Sequence, residues 1–156
     1  MDENIFLDDF NNWSNENNDF SFNDYIQSIF SSKQLSPDLF YAFMRLFWPE
    51  FILSNGFVFL KDPNSSEKLE KLIKGGKDVE YWANLLNVDG FFTGTQQEGE
   101  DNTIEISKRI AKSLASSWHT KLKNEYPNLK FIVKDFFDEE NQEVFLTFYQ
   151  VKFEKS

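Results

Sequence analysis

Phe51-Ile52-Leu53-Ser54-Asn55-Gly56-Phe57-Val58-Phe59-Leu60 is the stretch that decides the fold class. Two apolar, β-prone runs flank Ser54-Asn55-Gly56, and Asn-Gly supplies the positive-φ pair that a tight hairpin demands. Both runs are apolar at nearly every position rather than alternating. That pattern predicts strands covered on both faces or placed centrally.

Just upstream, Ser36-Pro37-Asp38 reads as an N-cap, a first-turn proline and an acid at a helix start. Leu39, Phe43, Leu46 and Phe47 recur at helical spacing, and Phe40 and Met44 widen that face. Pro49 biases Trp48 away from helical geometry, so this helix is expected to end near residue 47. Further upstream, Phe20, Phe22, Tyr25, Ile26, Ile29 and Phe30 predict a short helix over about 23–31.

Downstream, Lys61-Asp62-Pro63-Asn64 reads as a loop. Asn64 with Glu67 resembles a capping pair for a helix over about 65–74, which Gly75-Gly76 stops. Asp78 is placed to cap another helix over about 78–87, with Val79, Trp82, Leu85 and Leu86 turned inward. Residues 93–102 form a polar, glycine-bearing loop. In the longest predicted helix, 103–125, Ile106, Ile110, Leu114, Trp118 and Leu122 step by four, with Asn102 and Glu105 as its cap. Tyr126-Pro127-Asn128 ends it. A second hairpin follows, 131–137 and 144–153, around the acidic turn Asp138-Glu139-Glu140-Asn141-Gln142. The expected fold is α+β: a small, mainly antiparallel sheet from two β-hairpins, packed with about four to five helices. Trp48, Trp82 and Trp118 are expected in the core.

The chain of 156 residues has 19 phenylalanines, no cysteine and a net charge of −10. Without cysteine there is no thiol catalysis, disulfide, iron–sulfur cluster or Cys-based zinc site. No apolar run approaches the roughly 18–20 residues of a membrane span. Met1-Asp2-Glu3-Asn4 lacks the basic start of a secretory signal, so the expected location is cytoplasmic. The acidity is uneven. Residues 1–24 hold seven acids and no base, whereas the other 132 hold nineteen acids and sixteen bases. Residues 1–23 also carry seven asparagines and read as an acidic, aromatic-bearing extension, flexible in outline, with 24–156 as a single α+β domain. A helix in the extension would put Phe6, Phe10 and Trp13 on one face beside Asp9 and Asn12.

Leu35-Ser36-Pro37-Asp38-Leu39-Phe40, Leu46-Phe47-Trp48-Pro49-Glu50-Phe51 and Asn55-Gly56-Phe57-Val58-Phe59-Leu60 resemble a pattern in small uncharacterised bacterial α+β proteins. The spacing Trp118, Leu122, Tyr126-Pro127, Phe131 is similar to the same group. The resemblance covers about residues 35–152. It implies a bacterial source and the α+β fold, and it carries no activity or catalytic residue.

His119, the one histidine, has no acid a turn away to orient it, and a single histidine does not make a multi-His metal site. Lys108, Lys112, His119 and Lys123 form a stripe within roughly 60° of one another. It reads either as a solvated face or as an anion-binding stripe for an acidic peptide, the acidic extension included. Acids in the 98–101 and 138–140 segments lie in exposed turns and lack the cleft that paired-carboxylate chemistry requires. Asp62-Pro63-Asn64-Ser65-Ser66-Glu67 lacks the glycine and terminal bidentate acid of a calcium loop. Gly90, Gly94 and Gly99 make no phosphate loop.

No catalytic, metal or cofactor-binding residue is therefore assigned, and no cofactor is expected. Phe6, Asp8, Asp9, Phe10 and Trp13 are the expected partner-binding residues, with aromatics as anchors and acids steering the approach. The alternative is that these aromatics dock on the chain's own body. The expected function is a non-enzymatic protein-binding module, immunity- or antitoxin-like, against a basic protein. Membranes and nucleic acid are not favoured by an acidic chain. A small hydrolase with a dispersed carboxylate or histidine site is the competing reading.

Overall fold

The computed structural model describes residues 8–61, 66–76, 78–94 and 100–153. Among these it forms six α-helices and five short strands. The chain divides into two compact units, residues 1–43 and 44–156.

The first unit is helical. Helix α1 (Asp8–Glu16) lies within the segment read as a flexible extension. Helix α2 (Phe22–Ser32) starts at a capping box. The Asp24 N–H donates to Ser21 Oγ at 3.4 Å, and the Ser21 N–H donates to the Asp24 carboxylate at 2.7 Å. Helix α3 (Pro37–Phe47) begins as the sequence predicts, with the Asp38 N–H donating to Ser36 Oγ at 3.2 Å. This helix runs across the division between the units.

In the second unit, β1 (Phe51–Ser54) and β2 (Phe57–Leu60) pair antiparallel, with Ile52 opposite Phe59 and Leu53 opposite Val58. Asn55 and Gly56 take φ of 51° and 80°, the two left-handed positions of the turn. Helix α4 (Ser66–Gly75) and the short α5 (Val79–Ala83) follow, then β3 (Leu86–Asn87). Helix α6 (Glu100–Glu125) leads to β4 (Phe131–Asp138) and β5 (Glu143–Gln150).

Two cores organise this unit. Leu114, Trp118 and Leu122 of α6 pack under Val144, Leu146 and Phe148 of β5, joined by Val58 and Leu60. On the opposite face of β2, Phe59 packs with Leu69 of α4 and with Val79 and Ala83 of α5. Strand β2 is thus covered on both sides, which explains its continuous apolar run. Each such side chain contributes about 1.5–3 kcal/mol by leaving water.

Four expectations are corrected. One sheet was expected, and there are two, β1-β2 and β3-β5-β4. The 78–87 helix stops at Ala83, because Leu86 and Asn87 pair with Leu146 and Phe145 instead. Asp78 sits ahead of α5 but in a left-handed conformation, and its side chain makes no capping bond. Helix α6 starts at Glu100, so Asn102 lies inside it rather than capping it. The proposed Asn64 cap and most of the 93–102 loop fall outside the described residues.

The tryptophans also part company. Trp118 is 1% exposed, and its Nε1 donates to the Leu46 carbonyl at 2.9 Å. With Ser117 Oγ donating to the Phe47 carbonyl, it satisfies the open end of α3. Trp48 and Trp82 are 49% and 58% exposed. Pro49 takes the buried place after α3, and Trp48 lies under the Lys121 ammonium, 5.2 Å from its ring. Trp82 is displaced because two polar residues, Glu80 and Asn84, occupy the inward arc of α5 with Val79 and Ala83.

Candidate partner-binding surface

Residues 1–43 hold eight acids and one base, Lys33. Within this unit the three helices meet through aromatic rings. Phe10 packs edge-on against Phe22 and Tyr25, each with ring centroids 5.2 Å apart. Trp13 packs against Tyr25 at 5.5 Å and Phe20 at 6.1 Å. Phe30 of α2 meets Phe40 of α3 at 5.8 Å. Asn17 Nδ2 closes the end of α1 by donating to the Trp13 carbonyl at 2.8 Å.

These contacts do not make a core. No residue from 9 to 43 is buried. Phe20, Phe22, Leu39, Phe40, Tyr41 and Phe43 are exposed, all but Leu39 with about half or more of their surface in water. Together they leave on the order of 600 Å² of largely apolar surface wet.

The electrostatics are one-sided. Hydrogen bonds from the Ser21 hydroxyl and backbone hold the Asp24 carboxyl below its usual range. Burial, with Asp9 nearby, pushes the Tyr25 phenol up. Among the described residues, no ion pair engages Asp9, Glu16, Asp19 or Asp38.

Of the partner-binding residues expected from the sequence, Phe10 and Trp13 are half-buried on their own unit and Asp9 is exposed. Asp8 opens α1, and Phe6 lies outside the described residues. The expected stripe on α6 is split in its engagements. Lys108 pairs with Glu105 at 2.7 Å and lies 4.2 Å from the Phe137 ring centroid, while Lys112, His119 and Lys123 point to solvent.

Sequence reasoning missed the buried polar cluster of the second unit. Glu80 Oε1 accepts the Val58 N–H at 2.7 Å and Gln150 Nε2 at 2.5 Å, and its Oε2 accepts the Gln150 N–H at 2.6 Å. One turn on, Asn84 Oδ1 accepts the Leu60 N–H at 2.8 Å, and its Nδ2 donates to the Val58 and Phe148 carbonyls at 3.0 and 3.2 Å. Two side chains thereby replace a strand between the outward edge of β2 and the upper half of β5. Desolvation pushes the Glu80 carboxyl up, against the pull of its three N–H donors. The signal available in the sequence was the i, i+4 spacing of Glu80 and Asn84 beside Val79 and Ala83, which puts all four on one arc.

Glu80 is 1% exposed and committed to backbone, so its chemistry is structural. Among the described residues, no group of three or more His, Asp or Glu side chains is placed to hold a metal, and no helix is long and apolar enough to cross a membrane. The class defined here is an α+β globule joined to an acidic helical unit that exposes aromatic side chains. A scan against protein-family models, a search of curated proteins and a search of solved structures each find no match to this chain.

Proposed function

We propose that this chain is a non-enzymatic protein-binding module, and in its specific form an immunity- or antitoxin-like inhibitor that covers a basic partner. The observation that carries the reading is the helical unit without a core. Residues 9–43 hold half-wet apolar side chains and no buried residue, beside carboxylates that no ion pair neutralises. Apolar anchors on a unit of one-sided charge are what a fast, specific protein contact uses: the field speeds encounter and the anchors slow release. The bacterial setting rests on the resemblance of the 35–60 segments. The hydrolase alternative gains no support from an exposed His119 and a sealed Glu80.

Affinity capture from the source cells, with the full chain as bait at low salt, tests the reading. The expected result is a basic protein, retained at about 0.05 M salt and released near 0.5 M, where the Debye length shrinks to a few ångströms. Capture of no partner at low salt would overturn it.

A further inference from the structure

We propose that the partner element is a cationic amphipathic helix, which completes the acidic helical unit as its fourth helix. The proposal rests on the protein-binding reading and deepens it. Residues 8–43 contain three helices and no strand. Each is short, with 9, 11 and 11 residues, and each carries one apolar stripe. On α2, Phe22, Ile26, Ile29 and Phe30 share an arc of about 100°, and on α3 so do Leu39, Phe40 and Phe43. The ring contacts between those helices are edge-on. Phe40 meets Phe30, yet both Phe40 and Phe43 remain about half exposed. Three amphipathic helices without a buried residue lack the volume that a fourth supplies in a helical bundle.

Charge selects which helix that is. Asp9, Glu16, Asp19 and Asp38 are unpaired among the described residues, and Lys33 is the one base of the unit. A helix bearing Lys or Arg beside its apolar stripe offers these acids the counter-charge that their own unit largely lacks. A second copy of this chain would bring the same excess of acids against itself, and like charges across an interface are repelled.

The probe is a synthetic amphipathic peptide of leucine and lysine, roughly 18 residues or five turns long. Its control is a scrambled peptide of equal composition and charge. Both are titrated into the full chain by calorimetry, with helicity followed by circular dichroism. The patterned peptide is expected to bind at micromolar strength as a helix, at least about ten-fold tighter than the scrambled one. Phe40→Ser and, separately, Phe43→Ser are each expected to weaken it about ten-fold while the unfolding of the 44–156 unit is unchanged. Raising the salt to about 0.5 M is expected to weaken it further.

Equal binding of the two peptides, or no binding of the patterned one, overturns the proposal. So does binding that neither serine variant alters. Self-association that strengthens with salt and ignores the peptide would assign the face to a second copy. If cell capture recovers a basic partner while the patterned peptide fails, the helix is wrong and the binding function stands. If capture also fails, both fall.

Discussion

The two units use aromatic residues in opposite ways. In residues 44–156, Phe59, Phe148 and Trp118 are fully buried, and each has neighbours on more than one element. In residues 1–43, Phe10, Trp13, Phe20, Phe22, Tyr25, Phe30 and Phe40 touch ring to ring, and none is buried. The difference lies in backing. A side chain is enclosed when a second layer lies across from it, and α6 supplies that layer for β5. Short helices joined through edge contacts supply none. Aromatic content alone therefore does not make a core. One unit is finished by its own chain, and the other leaves its aromatic side chains partly wet.

The comparison breaks most visibly at Trp118. Trp118→Ala removes the largest buried ring and the donor to the Leu46 carbonyl. A loss of about 3–5 kcal/mol in urea unfolding is expected, against less than about 0.5 kcal/mol for Phe43→Ser. Comparable losses at both positions would mean that the helical unit is as well packed as the globule.

Glu80→Gln comes next. The amide presents an NH2 toward groups that are themselves donors, so at least one of the Val58 and Gln150 N–H groups loses its acceptor. About 1–3 kcal/mol is expected, the cost of a buried donor left without its acceptor. The wild-type advantage also depends on pH. Burial raises the folded pKa of Glu80 above its ordinary 4.5, so the folded chain holds this proton more tightly than the unfolded one. The contribution is complete below the ordinary value and lost as pH rises through the raised one. The gap between wild type and Glu80→Gln should accordingly narrow from about pH 4 to pH 8, measured by denaturant unfolding at each pH. A gap that widens would show that the three donors outweigh desolvation.

The smallest effect sharpens the picture of the helical unit. Ser21→Ala removes the hydroxyl that caps α2 and helps hold the Asp24 carboxyl low. Amide exchange in the first turn of α2 should rise several-fold while the exchange of β5 stays constant. In the wild type the same cap is present above the ordinary 3.8 and lost as pH falls through the lowered value of Asp24. Exchange that rises equally in β5 would join the two units into one cooperative body.

Much of the fold was legible in local patterns. The Asn55-Gly56 turn, the Ser36-Pro37-Asp38 helix start, the four-residue steps of α6 and the C-terminal hairpin depend on interactions a few residues apart, which the chain carries wherever it goes. The acidic excess of the first two dozen residues was equally plain. Other features were not local. Glu80 and Asn84 look like surface residues of a five-residue helix until β2 and β5 arrive on either side with unpaired backbone groups. Trp82 looks like core until those two take its place. Helix α3 looks ready to be buried, and its face remains largely wet.

Sequence by itself determined both hairpins, most of the helices and where the negative charge lies, because capping, turn geometry and side-chain period act over one or two turns. Tertiary structure alone decided which apolar faces are covered and which polar side chains stand in for a strand. Burial and backbone pairing are settled by whatever comes to lie opposite, and for Glu80 that includes the Gln150 N–H, 70 residues away.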